Sequence, residues 1–210
     1  MKNLNLLQAA YESNDINTIK DNIRRFLLMN ESERRDRFDI YNYVAKHIPY
    51  SSVLGVYHDN GFKIATNTHI LIVKKEDYNQ ELEGKIISKD GEEIESKFVN
   101  YRSVIGQDND YNFHSIDFEL FNQIYKEYKT DKKLNKKGLF IVKFQDVYFN
   151  IDLFNKMVIF AKECGIYNLG IRKINPQIYG AKFTNNQGDE GVLMPMTCSD
   201  ESEYKIYKLS

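Results

Sequence analysis

The chain has 210 residues, of which 42% are hydrophobic, 28% charged and 13% aromatic. A formal net charge of -1 excludes the basic excess of a dedicated nucleic-acid binder, though not a local basic face. Two cysteines, Cys164 and Cys198, are too few for a disulfide scaffold, and no stretch nears the ~18 uninterrupted apolar residues of a membrane span.

Residues 3–12 and 15–29 read as two short helices. Ile16, Ile19, Ile23, Phe26 and Leu27 recur at helical spacing, with Asn14 and Asp15 as capping residues between the two. The N-terminus lacks the continuous apolar core of a leader peptide, so a cytoplasmic protein with no membrane partner is expected. The spacing of Ile40, Val44 and Ile48 predicts an amphipathic helix over 36–48, stopped by Pro49. The period then changes to two. Val53, Gly55 and Tyr57 alternate, Asp59-Asn60-Gly61 makes a hairpin turn, and Phe62, Ile64 and Thr66 return. A third strand runs from about Ile70 to Lys74.

Asp90-Gly91 marks a second hairpin in the polar stretch 75–97, and 106–114 reads as a polar loop. Ser115 is the expected cap of a helix over 116–128, followed by the loop-like basic run Lys129-Thr130-Asp131-Lys132-Lys133-Leu134-Asn135-Lys136-Lys137. A strand is expected at 139–144. Asn150 then caps a helix over 151–163, and Gly165 ends it. Three strands fit at 167–172, 178–184 and 190–196, with Pro176 and Asn185-Asn186-Gln187-Gly188 as turns, and an edge strand fits at 203–207. The order is helix–strands, an irregular middle, then strand–helix–strands. This predicts an α+β fold of two similar units, their helices on one face of a shared antiparallel surface.

Catalytic signatures are missing. None of His47, His58, His69 and His114 pairs with a second metal ligand at helical spacing, and no GxSxG, GxxxxGK[ST] or GxGxxG occurs. We therefore expect no enzyme, no cofactor and no metal. The basic run admits two readings, a solvated loop or a phosphate-contacting patch built on Lys132, Lys133, Lys136 and Lys137.

Three segments together resemble one family. Leu54-Gly55-Val56, a hairpin, then Ala65-Thr66-Asn67-Thr68-His69-Ile70-Leu71 is similar to L-x-G-V/M followed by A-T-D-G-H-R-L. Phe98-Val99-Asn100-Tyr101-Arg102-Ser103-Val104-Ile105 is similar to F-P-D-Y-R-R-V-L/I, without its proline. Phe149-Asn150, the following helix, and Val192 to Met196 resemble a terminal half-domain ending V-x-M-P-M. The patterns are those of the bacterial DNA polymerase III β subunit, the replicative sliding clamp.

The resemblance implies a DNA-clamp-like α+β domain over 35–210, in half-units of about 35–110 and 111–210. Residues 1–34 would then be an N-terminal helical extension. It also implies an accessory role in DNA replication or maintenance, with DNA, polymerase or clamp-loader-type peptides, and further copies of the chain as partners. Thr66, Thr68, His69, Leu71, Val104, Val192, Met194 and Pro195 would line a peptide-binding groove, the alternative being that Leu71, Val104 and Val192 are plain core residues. Two rivals stand beside this reading: a clamp-fold interaction module without DNA binding, and an enzyme with a loop-built site.

Overall fold

Asn60 and Gly61 both adopt positive φ, 51° and 77°, the conformation that a two-residue hairpin turn needs. They join β1 (Val56–Asp59) to β2 (Phe62–Thr66), as the Asp59-Asn60-Gly61 signal predicts. The computed structural model of the protein describes residues 38–46, 53–136, 138–172 and 180–209. The chain divides into two compact units, Met1–Phe38 and Asp39–Ser210, and the account below concerns the second. The expected helices at 3–12 and 15–29 and the Pro176 turn lie outside the described residues.

The remaining elements follow in order. They are β3 (Ile70–Lys75), β4 (Ile86–Ile87), the short helix α1 (Tyr101–Ile105), β5 (Tyr111–Ser115) and α2 (Phe118–Leu134). Then come β6 (Leu139–Phe144), β7 (Val147–Asn150), α3 (Ile151–Glu163) and β8 (Asn168–Arg172). β9 (Ala181–Thr184), β10 (Glu190–Leu193) and β11 (Tyr204–Lys208) complete the fold. An eight-stranded sheet has the order β4-β1-β2-β3-β10-β9-β8-β5, antiparallel throughout, and a three-stranded sheet has the order β11-β6-β7. The expected tail strand is β11, an edge strand that runs parallel to β6.

The junction of β3 with β10 positions the site. Val192 stands opposite Leu71 and Gly191 opposite Ile72, so strands more than a hundred residues apart in sequence share one register. The two faces of this sheet bury different partners, because side chains alternate along each strand. On one face lie Ala65, Ile72, Gly191 and Phe183, and here α3 packs. A Cβ on Gly191 would stand 2.5 Å from the Met157 Cε and 3.0 Å from the Phe160 ring, so any larger residue here would have to displace both side chains of the helix. Beside α3, α2 packs through Phe121 and Phe154, ring centroids 5.0 Å apart. On the other face Ile64, Leu71, Val73 and Val192 form a cluster with Tyr101 and Ile105 of α1.

Several expectations are corrected. Of the helix expected over 36–48, the described residues 38–46 form a single 3-10 turn, Ile40–Tyr43, and Val44 is already extended. The Ala45 N–H donates to the Val53 carbonyl at 2.9 Å while the buried Tyr43 packs against Phe160 of α3, so tertiary partners override the helical spacing. The loop expected at 106–114 contains β5. Only Tyr111 of that strand is buried, so it shows no alternating pattern. Asp117, rather than Ser115, caps the next helix, accepting from the Leu120 N–H at 2.8 Å. That helix runs to Leu134, which places most of the basic run on α2 instead of in a loop. β7 was not anticipated, because its turn uses Gln145 and Asp146 at positive φ with no glycine. Finally α1 lies on the opposite face of the sheet from α3, so the helices do not all share one face.

Candidate functional site

The site grows from a turn. Between β2 and β3 the Thr66 hydroxyl donates to the Ile70 carbonyl (2.7 Å) and accepts from the Thr68 N–H (3.1 Å). The Asn67 carboxamide oxygen accepts from the His69 and Ile70 N–H groups at 3.0 and 2.9 Å. These bonds force Thr68 to a φ of 74°, a region that β-branched residues rarely occupy. The resembling pattern has glycine at this position. We expect Thr68→Gly to stabilise the protein by up to about 1 kcal/mol, the relieved strain being partly offset by glycine's entropy. Equilibrium denaturation measures it, and a loss of stability would contradict the strain.

Beyond the turn, the Met194 N–H donates to the His69 carbonyl at 2.9 Å, carrying β10 onward beside β3. The result is a cleft of about 170 Å³, bordered by Thr66, Thr68, His69, Leu71, Val104, Val192 and Met194. Seven of the eight residues named for the groove from sequence therefore surround one cleft. Pro195 does not join them: it borders a separate cavity with Tyr148 and Met196, where the Met196 N–H donates to the Tyr148 carbonyl at 2.7 Å. Val53, Ile70 and Val99 also line the cleft and were missed from sequence. Val99 carried a signal, since it stands where the resembling motif has proline. Leu71 and Val192 are at once cleft lining and core, 4% and 1% exposed, while Met194 is half-buried at the rim.

The cleft's outer wall is α1. At its start the Tyr101 hydroxyl donates to Asp59 at 2.6 Å and Arg102 pairs with the same carboxylate at 2.8 Å. Burial and the Asp59 charge push the Tyr101 phenol up to about 12. Behind α1 lies a larger polar cavity of about 610 Å³. Lys182 reaches it from the sheet, its ammonium 2.6 Å from Asp108 and 2.8 Å from Glu190. Burial alone would lower the Lys182 pKa, but the two carboxylates outweigh it and raise it.

The basic residues fall on the helix layer. Lys126, Lys129 and Lys133 are exposed at i, i+3 and i+7 along α2, and the Lys129 ammonium folds over the Tyr125 and Tyr128 rings at 4.7 and 5.4 Å. Lys133 and Lys136 are exposed. Lys132 is tied to Asp152 at 2.8 Å, and Lys137 lies outside the described residues. Burial pushes the Asp152 carboxyl up, yet Lys132, Tyr128 and Lys129 together hold it below the usual carboxylate range. A depressed carboxylate contributes stability above its unfolded pKa of about 3.9 and loses it as pH falls through the folded value. The difference in melting temperature between wild type and Asp152→Asn should therefore be full near neutrality and vanish at strongly acid pH. A pH-independent difference would contradict the pairing.

Among the described residues no group of three or more His, Cys, Asp or Glu side chains is placed to hold a metal, and no helix is long and apolar enough to cross a membrane. The Cys164 thiol is pushed up to about 12, chiefly by burial, the opposite of an activated nucleophile.

No protein-family model matches the chain, and no curated protein matches its sequence. Solved structures do match. DNA polymerase III subunit beta from Borrelia burgdorferi, in complex with a natural product, superposes with a TM-score of 0.51 at 13% identity, over 78% of this chain and 60% of that one. A crystal structure from Eubacterium rectale described as a DNA polymerase III beta subunit gives 0.50 at 10% identity, over 75% and 61%. The fold is DNA-clamp-like. The clamp-like chain spans about three fifths of the length of these two proteins, and at such low identity the likeness concerns fold alone.

Proposed function

We propose that this chain is a non-enzymatic, cytoplasmic clamp-like accessory factor in DNA replication or maintenance. Its cleft takes a short extended peptide with apolar side chains, of the polymerase or clamp-loader type. The observation that carries this reading is the convergence of Thr66, Leu71, Val104, Val192 and Met194, from three separate sequence segments, on one apolar cleft. At about 170 Å³ it is smaller than the ~300–1,000 Å³ of a drug-sized ligand site and suits one or two anchoring side chains. A methionine at the rim adapts to several of them. In this reading residues 35–210 act as one clamp-like domain of two half-units, about 35–110 and 111–210, residues 1–34 are an appended extension, and further copies can assemble with it.

A labelled short apolar peptide titrated into the protein tests the proposal. Wild type should bind saturably, and Met194→Ala should bind about 1–2 kcal/mol more weakly with little change in melting temperature, because Met194 sits at the rim. Absence of binding by wild type would remove the peptide reading.

DNA contact is the second part of the proposal, through Lys132, Lys133, Lys136 and Lys137, joined by the exposed Lys126 and Lys129 of α2. A reading without DNA also has support, since Lys132 and Lys129 both share Asp152, at 2.8 and 3.5 Å, which leaves less free charge for phosphate.

A further inference from the structure

Helix α1 has five residues, too few to hold itself by its own hydrogen bonds. It also lies between two voids. Val104 faces the 170 Å³ cleft, whereas Tyr101 and Ile105 face the 610 Å³ cavity behind it. Tyr101 and Ile105 also anchor it in the apolar cluster with Ile64, Leu71, Val73 and Val192, and polar contacts fix its two ends. At its start Asp59 receives Tyr101 and Arg102. Just past its end the chain turns at Gly106, the Tyr111 hydroxyl donates to the Ile105 carbonyl at 3.0 Å, and Asp108 meets Lys182 at 2.6 Å.

Lys182 occupies a position with no local reason for a charge. In register across the sheet its row reads Thr66, Leu71, Val192, Lys182. The side chain is 2% exposed, and a buried ammonium persists only where it is paired. Glu190, on the neighbouring strand, is one partner. The other, Asp108, comes from the loop that follows α1, so burial of Lys182 depends on that loop being docked.

We propose that Lys182 is a positioning residue, locking segment 98–110 through Asp108 so that α1 stands as a movable wall of the cleft. When Asp108 leaves Lys182, α1 is free to shift into the cavity behind it, and Val104 withdraws from the cleft. Cavity and cleft are then coupled across α1, and a peptide in the cleft tightens the Asp108–Lys182 contact in return. The link to peptide affinity rests on the proposed function, but the lock itself does not.

Amide hydrogen exchange followed by mass spectrometry tests the lock without any ligand. Asp108→Asn and Lys182→Met should each speed exchange across 101–110 at least tenfold while α3 is unaffected. The double variant should add nothing beyond either single change. Unchanged exchange in Asp108→Asn would overturn the lock. This variant changes a rim side chain that is 61% exposed, so its result stands even if Lys182→Met does not fold. For the coupling, a short apolar peptide should slow exchange across 101–110 in wild type and dissociate several-fold faster from Asp108→Asn, at an unaltered melting temperature. Equal dissociation rates would overturn the coupling and leave the lock. If wild type binds no peptide, the proposed function and the coupling fall together, and the exchange result alone decides the lock.

Discussion

Replacing Phe154 by alanine is expected to cost about 3–5 kcal/mol of stability, the range for truncating a buried aromatic. Phe154 is fully buried on α3, and its ring touches Phe121 of α2 at 5.0 Å, Phe149 of β7 at 5.6 Å and Phe183 of β9 at 6.3 Å. It thus joins both sheets and the second long helix. A cavity there has partners on three elements whose backbones are fixed by other bonds, so collapse around it is limited. Urea denaturation of wild type and variant gives the difference directly. A cost below about 1 kcal/mol would mean that the helix layer is not held through this cluster.

The second large effect concerns DNA. If four of the lysines along 126–137 each neutralise one phosphate, affinity for duplex DNA should fall roughly a hundredfold between 50 and 200 mM salt. Removing the exposed Lys133 and Lys136 together should reduce the slope of log affinity against log salt by about 2. Lys132→Ala should reduce it less, because Asp152 already offsets that charge. Fluorescence anisotropy over a salt series measures these slopes. Wild type that shows no salt-dependent binding would favour the interaction module without DNA.

Sequence reading succeeded where a short-range device dictates the structure. The Asn150 side chain accepts from the Leu153 N–H at 3.0 Å, and α3 begins and ends as its cap and periodicity predict. The Asp59-Asn60-Gly61 hairpin is likewise local chemistry. It failed where the deciding partner is distant. Ile40, Val44 and Ile48 have helical spacing, but Tyr43 is claimed by α3, its hydroxyl donating to the Lys156 carbonyl at 2.5 Å. β5 was unreadable because an edge strand with one buried residue leaves no alternation to detect.

The cleft was legible only through the family resemblance. Nothing in periodicity says that Leu71 and Val192 are neighbours, since that is a property of the β3–β10 register. Lys182 was invisible for a related reason. On a strand of composition Ala-Lys-Phe-Thr a lysine reads as solvent-facing, and its burial follows from Asp108 and Glu190, which approach from elsewhere in the chain.

The central claim is that an apolar peptide segment seats in the cleft between β3, β10 and α1. Titrating isotopically labelled protein with a short apolar peptide, and following backbone amide resonances, tests it most directly. Saturable shifts confined to Thr68–Leu71, Val104 and Val192–Met194, with the amides of α2 and α3 unmoved, are the predicted result. No saturable shift, or shifts centred on the helix layer or the Pro195 cavity, would contradict it.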